Sequence, residues 1–243
     1  MGGPPGTPDT GWVTAPPEVA VPGNPIVRSF GTAVRDPGGA AGALAAVLRA
    51  AAKFRGCRSV GPRARLYGHC FVSGREGIEI GQRLLILGTS VRCELSTHEG
   101  GQLSIGERVF LNYGTSISAH AMVRIGDDCK IGQYSIVMDC DWHELETPSH
   151  YGGHGVPRPV VLEQGVWLGA RVTVLKGVTI GRGSVIGAGS VVVGDIPAGV
   201  VAAGVPARVI RELPFKAALD AARLQVTASH AAIETAAGAE AAG

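Results

Sequence analysis

The sequence predicts an all-β solenoid of stacked three-sided coils with a short helix toward each end, and three observations carry the prediction. Aliphatic residues recur every six positions. Glycine is abundant, 37 of 243 residues, beside many Val and Ile and an aromatic share of only 5%. The period then fails in one polar, histidine-rich stretch. Leu162, Leu168, Val174, Ile180, Ile186 and Val192 keep the six-residue spacing without interruption, and Gly169, Gly181 and Gly187 directly follow three of them. Val172, Val178, Ser184 and Ser190, all small or β-branched, stand four residues after an aliphatic position. The same phase runs through Ile105, Leu111, Ile117 and Val123, slips by two residues, and continues through Ile125, Ile131 and Val137; Ile80 and Ile86 keep it faintly. Period six matches neither the helical 3.6 nor the strand period of two. It fits a coil in which each of three faces uses one hexad, the aliphatic residue pointing inward and the small one relieving the corner.

Taken in order, residues 1–38 are rich in Pro and Gly and read as a flexible extension, since they cannot bury enough apolar surface to offset chain entropy. Residues 39–59 hold an Ala-rich helix and a linker. Leu44, Val47, Leu48 and Ala51 fall at helical spacing, which predicts an amphipathic helix packed on something larger; a sparse polar face disfavours a membrane-surface role. The coil domain spans 60–210, interrupted by a loop at 138–159. In the remainder, 211–243, Pro214 can open a helix that puts Phe215, Ala218, Leu219, Ala222 and Val226 on one face, followed by an Ala-rich mobile tail. That helix is expected to cap the open coil or a neighbouring subunit.

A stiff solenoid can extrude a loop without disturbing its core, so a break in the period marks a place available to function. Between Val137 and Pro159 the chain reads VMDCDWHELETPSHYGGHGVPRP. On four segments the sequence resembles the maltose, galactoside and polysaccharide O-acetyltransferases: IGERVFLNYGTSIS (105–118), RIGDDCKIGQ (124–133), DCDWH (139–143) and the long stretch from GVWLGARV to REL (165–213). The resemblance covers about two thirds of the chain. It implies a left-handed parallel β-helix, a homotrimer, acetyl-CoA bound as co-substrate in a groove between subunits, and a catalytic histidine there.

Carried over by position, the resemblance makes His143 the catalytic base. An imidazole suits the task, because it can take a proton from an attacking alcohol and return it to the leaving thiolate. Its second nitrogen would need an acceptor, and Asp139, Asp141, Glu144 or a backbone carbonyl are all near in sequence. Asn112 matches an asparagine that could hold the acceptor hydroxyl or the oxyanion; the rival reading is a turn-stacking Asn inside the coil. Trp167 matches a residue of the acyl-CoA channel, Ala170 and Ala188 match positions facing the pantetheine arm, and Arg208 and Arg211 match contacts to the coenzyme A phosphates. Two departures stand out. Val193 and Gly194 precede Asp195 where relatives often carry Thr-Lys, so a phosphate contact is lost, and either Arg182 or Lys176 compensates or coenzyme A binds more weakly. Ala119 stands where sugar-specific relatives can carry an aspartate, which puts a maltose-like or galactoside-like acceptor in doubt.

The expected activity is therefore transfer of an acetyl group from acyl-CoA to a hydroxyl of a sugar, polysaccharide precursor or glycosylated metabolite, with no metal required. The alternatives are a γ-carbonic-anhydrase-like metal enzyme using His143, His150 and His154, and a non-catalytic trimeric scaffold. Cys140 lies close enough to His143 for an acyl-cysteine route, but direct transfer needs no such nucleophile. A net charge of +2 without any Lys/Arg run lacks the footprint of a nucleic-acid binder. No signal peptide and no membrane span is readable. The five cysteines are odd in number and form no CxxC pair, which predicts reduced thiols and a cytoplasmic location.

Overall fold

The six-residue period becomes a stack of about seven three-sided coils, a left-handed parallel β-helix. The computed structural model describes residues 39–98, 100–144, 148 and 155–220. The predicted extension 1–38 and the tail beyond Asp220 lie outside the described residues. Each coil lays down three short strands, one per face. The first face stacks six strands in parallel, from Ser59–Val60 through Ile78–Ile80, Gln102–Ile105, Met122–Ile125 and Val160–Leu162 to Thr179–Ile180. In the first two coils the next two faces are made by single long strands, Arg65–Ser73 and Leu85–Thr97, which continue around the corner between them. Later coils divide these faces into short pieces such as Phe110–Leu111 and Ser116–Ala119.

The inward column of each face is the predicted one. Ile86, Leu111, Ile131, Leu168 and Ile186 fill the second face, Leu95, Ile117, Val137, Val174 and Val192 the third, and Ile105, Ile125, Leu162 and Ile180 the first; all are buried. Each such side chain removed from water contributes roughly 1.5–3 kcal/mol, so the columns rather than the two-residue strands hold the stack together. Val172, Val178, Ser184 and Ser190 are buried as expected for small positions. The serines also close the corners: Ser184 Oγ donates to the carbonyl of Pro197 at 2.6 Å, and Ser190 Oγ to that of Gly187 at 2.6 Å. Cys129 occupies the same kind of position, its thiol donating to the Glu163 carbonyl at 3.1 Å, and burial pushes that thiol up to about 12.

The amino-terminal helix, α1 (Gly39–Lys53), turns a different face to the coil from the one its leucines predict. Ala46, Ala50 and the following Phe54 are buried against the first coil, whereas Leu44 and Leu48 are each 61% exposed. The small alanine face allows close approach, and Arg49 fixes it by donating to the Leu66 carbonyl at 2.9 Å. At the other end, Val200–Gly204 pairs antiparallel with Ala207–Glu212, which ends the parallel stack. A new helix starts at Lys216, two residues after Pro214. A Cβ on Gly183 would come within 3.1 Å of the Phe215 ring and 3.6 Å of Leu219, so these two predicted face residues pack on the last coils of their own chain.

Candidate active site

Three corners join the faces, and the corner between the third face and the first carries the break in the period. Strand register aligns Thr97 with Ala119 and Ser118 with Met138, so His98, His120 and Cys140 follow one another up this third corner in successive coils. The imidazoles of His98 and His120 stack with centroids 4.6 Å apart and planes 11° from parallel. Cys140 Sγ lies 3.0 Å from His120 Nδ1. Burial pushes the Cys140 thiol up, which disfavours the thiolate.

Asp139 anchors the corner. Fully buried, its carboxylate accepts three backbone N–H bonds: His120 on Oδ1 at 2.8 Å, and Ala121 and Met122 on Oδ2 at 2.7 and 2.8 Å. The chain returning from the loop donates Arg158 N–H to the Asp139 carbonyl at 2.8 Å. Asp141 is held by an ion pair with Lys176, whose ammonium also donates to the Val156 carbonyl at 3.1 Å. Between these anchors stands Trp142 in a left-handed conformation, φ +64°. Its indole meets both imidazoles edge-on, at 5.0 Å from His98 and 4.7 Å from His120. A positive φ on a bulky residue costs on the order of 1 kcal/mol; here two aromatic contacts offset it. The next residue is His143, exposed. Gly155 backs it so closely that a Cβ there would approach the His143 carbonyl to 3.0 Å.

Of the acceptors considered for orienting His143, Asp139 receives three amides and Asp141 pairs through Oδ2 with Lys176. Lys176, the other group expected to compensate for the missing Thr-Lys contact, is a root of the loop through Asp141 and the Val156 carbonyl. Of the histidines behind the metal reading, His150 and His154 lie outside the described residues. Among the described residues the ligand-type atoms that cluster are those of His120, Asp139 and Cys140, within 4.8 Å of one another. Their geometry is that of a brace, with the carboxylate taken up by three amides and the thiol by the imidazole.

The other expected site residues gather around a different corner, the second, between the second and third faces. Backbone bonds from Asn112 N–H to Ile131, Gly132 to Leu168, Gly169 to Ile186 and Gly187 to Ala202 put Asn112, Gly132, Gly169 and Gly187 in one column. Ala170 and Ala188 follow beside it. Asn112 uses its side chain within the coil: Oδ1 accepts Tyr113 N–H at 2.9 Å and Nδ2 donates to Gln133 Oε1 at 3.2 Å. On the adjoining face the register runs Lys130, Trp167, Val185, Val201, Arg211, so Trp167 and Arg211 share one outward column, three strand spacings or roughly 14 Å apart. Arg208 pairs with Ala203 on the same strand as Arg211, and both arginines are exposed. Within one chain, therefore, His143 and Asn112 stand on different corners.

Comparison with known proteins agrees with this architecture. The family described as bacterial transferase hexapeptide (six repeats) matches residues 159–194. Nodulation protein L of Rhizobium meliloti is 38% identical over 142 residues, 58% of this chain and 73% of that protein. The galactoside O-acetyltransferase of Escherichia coli is 40% identical over 114 residues, 47% of this chain and 56% of that enzyme; the chain spans about half the length of several curated relatives it matches. Among solved structures, AntD, an N-acyltransferase from Bacillus cereus in complex with dTDP and 3-hydroxybutyryl-CoA, shares the fold with a TM-score of 0.60 at 22% identity, covering 74% of this chain and 96% of that one. With its period, its coil and a relative matched over nearly three quarters of that relative's length, the chain belongs to the bacterial hexapeptide-repeat transferase family.

Proposed function

We propose that the protein transfers an acetyl or other acyl group from acyl-CoA to a hydroxyl of a sugar, polysaccharide precursor or glycosylated metabolite, with His143 as general base. The observation that carries this reading is the braced presentation of His143. One exposed imidazole stands at the break in the repeat, behind a tryptophan fixed by two stacked rings and an anchored carboxylate. In the reaction His143 takes the proton of the acceptor hydroxyl as its oxygen attacks the thioester carbonyl carbon. The tetrahedral oxyanion then collapses, the C–S bond breaks, and the proton passes to the departing thiolate, leaving an ester and free coenzyme A. Relatives named for galactoside O-acetyl transfer and for O-acetyl transfer in lipopolysaccharide biosynthesis favour the hydroxyl acceptor, beside others named only as acetyltransferases.

Coenzyme A would lie along the second corner. There Trp167 and Arg211 share an outward column, Ala170 and Ala188 leave room beside it, and Arg208 and Arg211 offer guanidinium groups to phosphates. Because that corner and His143 are apart in one chain, the site takes its base from one copy and its coenzyme corner, with Asn112, from another, as in a homotrimer. His143→Ala is expected to remain folded and to lose about 10²–10⁴-fold in thiol release from acetyl-CoA with acceptor present. Mixed oligomers of His143→Ala and Asn112→Ala should recover activity that neither has alone, because some interfaces then hold both native residues. Unchanged thiol release by His143→Ala would remove the mechanism. Absent recovery in verified mixed oligomers would remove the shared site. Mass spectrometry of hydroxyl and amine acceptors would identify the product bond.

A further inference from the structure

The amino-terminal end of the prism combines two features that the acyl-transfer site does not use. Between Leu44 and Arg83 stand eight Lys or Arg and two Glu, against 22 and 20 in the whole chain, so the rest of the molecule is net acidic. The sequence shows no basic run because the coil does the gathering, and it supplies beside α1 the polar groups whose sparseness on the helix itself disfavoured a membrane-surface role. Arg63 and Arg83 occupy the first corner in successive coils, joined by the Arg83 N–H bond to the Pro62 carbonyl at 2.9 Å, and both adopt left-handed φ near +60°. With Arg65 and Val47 of α1 they line a cavity of about 370 Å³.

Three other basic groups nearby are occupied. Arg49 and Arg75 donate to the carbonyls of Leu66 and Lys53, and Arg58 pairs with Glu79. Among the described residues no side-chain hydrogen bond or ion pair ties down the guanidinium groups of Arg63, Arg65 or Arg83, although the charge of Arg83 reaches Glu107. Beside them the outward face of α1 carries Leu44, Leu48, Ala51 and Ala52, all exposed.

We propose that this end of the molecule docks on an anionic phospholipid bilayer, Arg63, Arg65 and Arg83 taking headgroup phosphates while Leu44 and Leu48 enter the interfacial layer. Each half of the surface alone would fit several partners; together they select one. Phosphate-rich headgroups complement the guanidinium cluster, and the adjoining acyl layer rewards exposed leucines that a nucleic acid would leave unrewarded. A second copy meeting this patch face to face would set arginine against arginine. A location at a membrane surface needs no spanning segment, and no helix among the described residues is long and apolar enough to span. The inference stands apart from the acyl-transfer reading.

Flotation of the full chain with vesicles tests it. Phosphatidylglycerol-containing vesicles should bind the protein, phosphatidylcholine vesicles should not, and added salt should weaken the binding. The triple variant R63Q/R65Q/R83Q should lose at least about tenfold in partitioning, and L44S/L48S should also bind more weakly. Both variants should keep the native circular dichroism and the thiol release seen with a soluble acceptor. Equal binding to both vesicle types, or partitioning unaffected by either variant, overturns the proposal. So does inorganic phosphate at equal ionic strength competing where chloride does not, which would assign the arginines to a small free ligand. A fall in oligomer mass by light scattering for L44S/L48S, with vesicle binding intact, would assign the leucines to an interface between copies.

Discussion

Two corners of the same prism solve opposite problems. At the second corner successive coils approach until backbone touches backbone: a Cβ on Gly132 would lie 2.5 Å from the Gly169 carbonyl carbon, and one on Gly169 would lie 2.7 Å from Ala188 N. At Gly132 and Gly169 only glycine fits, and beyond Asn112 at the head of the column the corner becomes a smooth edge. At the third corner the coils hold a ladder of His98, His120 and Cys140 instead, and a loop leaves between Met138 and Val160. In the proposed reading, regularity at one corner offers a flat place for a long ligand, and its loss at the other presents His143. The same layer spacing serves both because the parallel backbone ladders of the three faces, not the corners, set the height of each coil.

If Asp139 is the keystone of the irregular corner, its removal should be the most damaging single change. Asp139→Ala leaves three buried N–H groups without their acceptor and should lower unfolding free energy by about 3–5 kcal/mol in a denaturant titration. Asp139→Asn should recover only part, since its carbonyl oxygen can still accept from Ala121 and Met122 while its NH2 group would face the His120 N–H, itself a donor. A loss under about 1 kcal/mol would mean that water can replace the carboxylate and that the ladder stands without it. At the regular corner, Gly169→Ala forces a methyl against backbone that neighbouring coils hold in place. The expected cost is about 1–3 kcal/mol by the same titration, with thiol release per folded molecule reduced only as far as the coenzyme edge is displaced. A neutral Gly169→Ala would show that the corner can open, and the contrast between the two corners would weaken.

The two corners also differ in how far the sequence discloses them. Buried columns were legible because each coil of the carboxyl-terminal half repeats after eighteen residues, as Leu162 to Ile180 does. In the first two coils the signal fades, since Arg65–Ser73 and Leu85–Thr97 run around a corner as single strands and alternate at period two. The histidine ladder could not be seen. His98, His120 and Cys140 are 22 and 20 residues apart, because the third corner carries extra residues, and only strand register brings them together. His143 was legible as a motif residue, whereas its support was not: Trp142 matters through a positive φ and two ring contacts that no spacing encodes. A usable clue was present in the pair of histidines each one residue beyond a buried strand end. For Asn112, the turn-stacking contacts to Tyr113 and Gln133 depend on side-chain geometry, so sequence left both of its readings open.

Trp142 therefore separates support from chemistry at the irregular corner. Trp142→Ala removes the indole from both imidazoles while leaving His143 in place. The expected outcome is a stability loss of about 1–2 kcal/mol with kcat about tenfold lower and KM for acyl-CoA little changed. Trp142→Phe should restore most of both by keeping a ring edge in the stack. An equal fall in kcat for the Ala and Phe variants would mean that the indole touches substrate, and Trp142 would then belong to the chemistry.

The first corner supplies the control, being polar yet open to solvent. There Arg108 grips Asp128 through two bonds of 2.7 and 3.0 Å and also pairs with Glu107. The Arg108 guanidinium holds the Asp128 carboxyl below the usual carboxylate range. A depressed carboxylate adds stability above its unfolded value near 3.9, and that stability is lost as pH falls through the lower, folded value. Both side chains are about a third exposed, 39% and 30%, so solvent screens the pair and its worth at neutral pH should stay below about 1 kcal/mol. Arg108→Ala should accordingly shift the denaturation midpoint only slightly, lose even that shift in high salt, and make the decline of stability below about pH 4 shallower. Several kcal/mol lost at this exposed corner would break the contrast from the other side, since surface charge would then hold the stack in place of the buried columns and the Asp139 keystone.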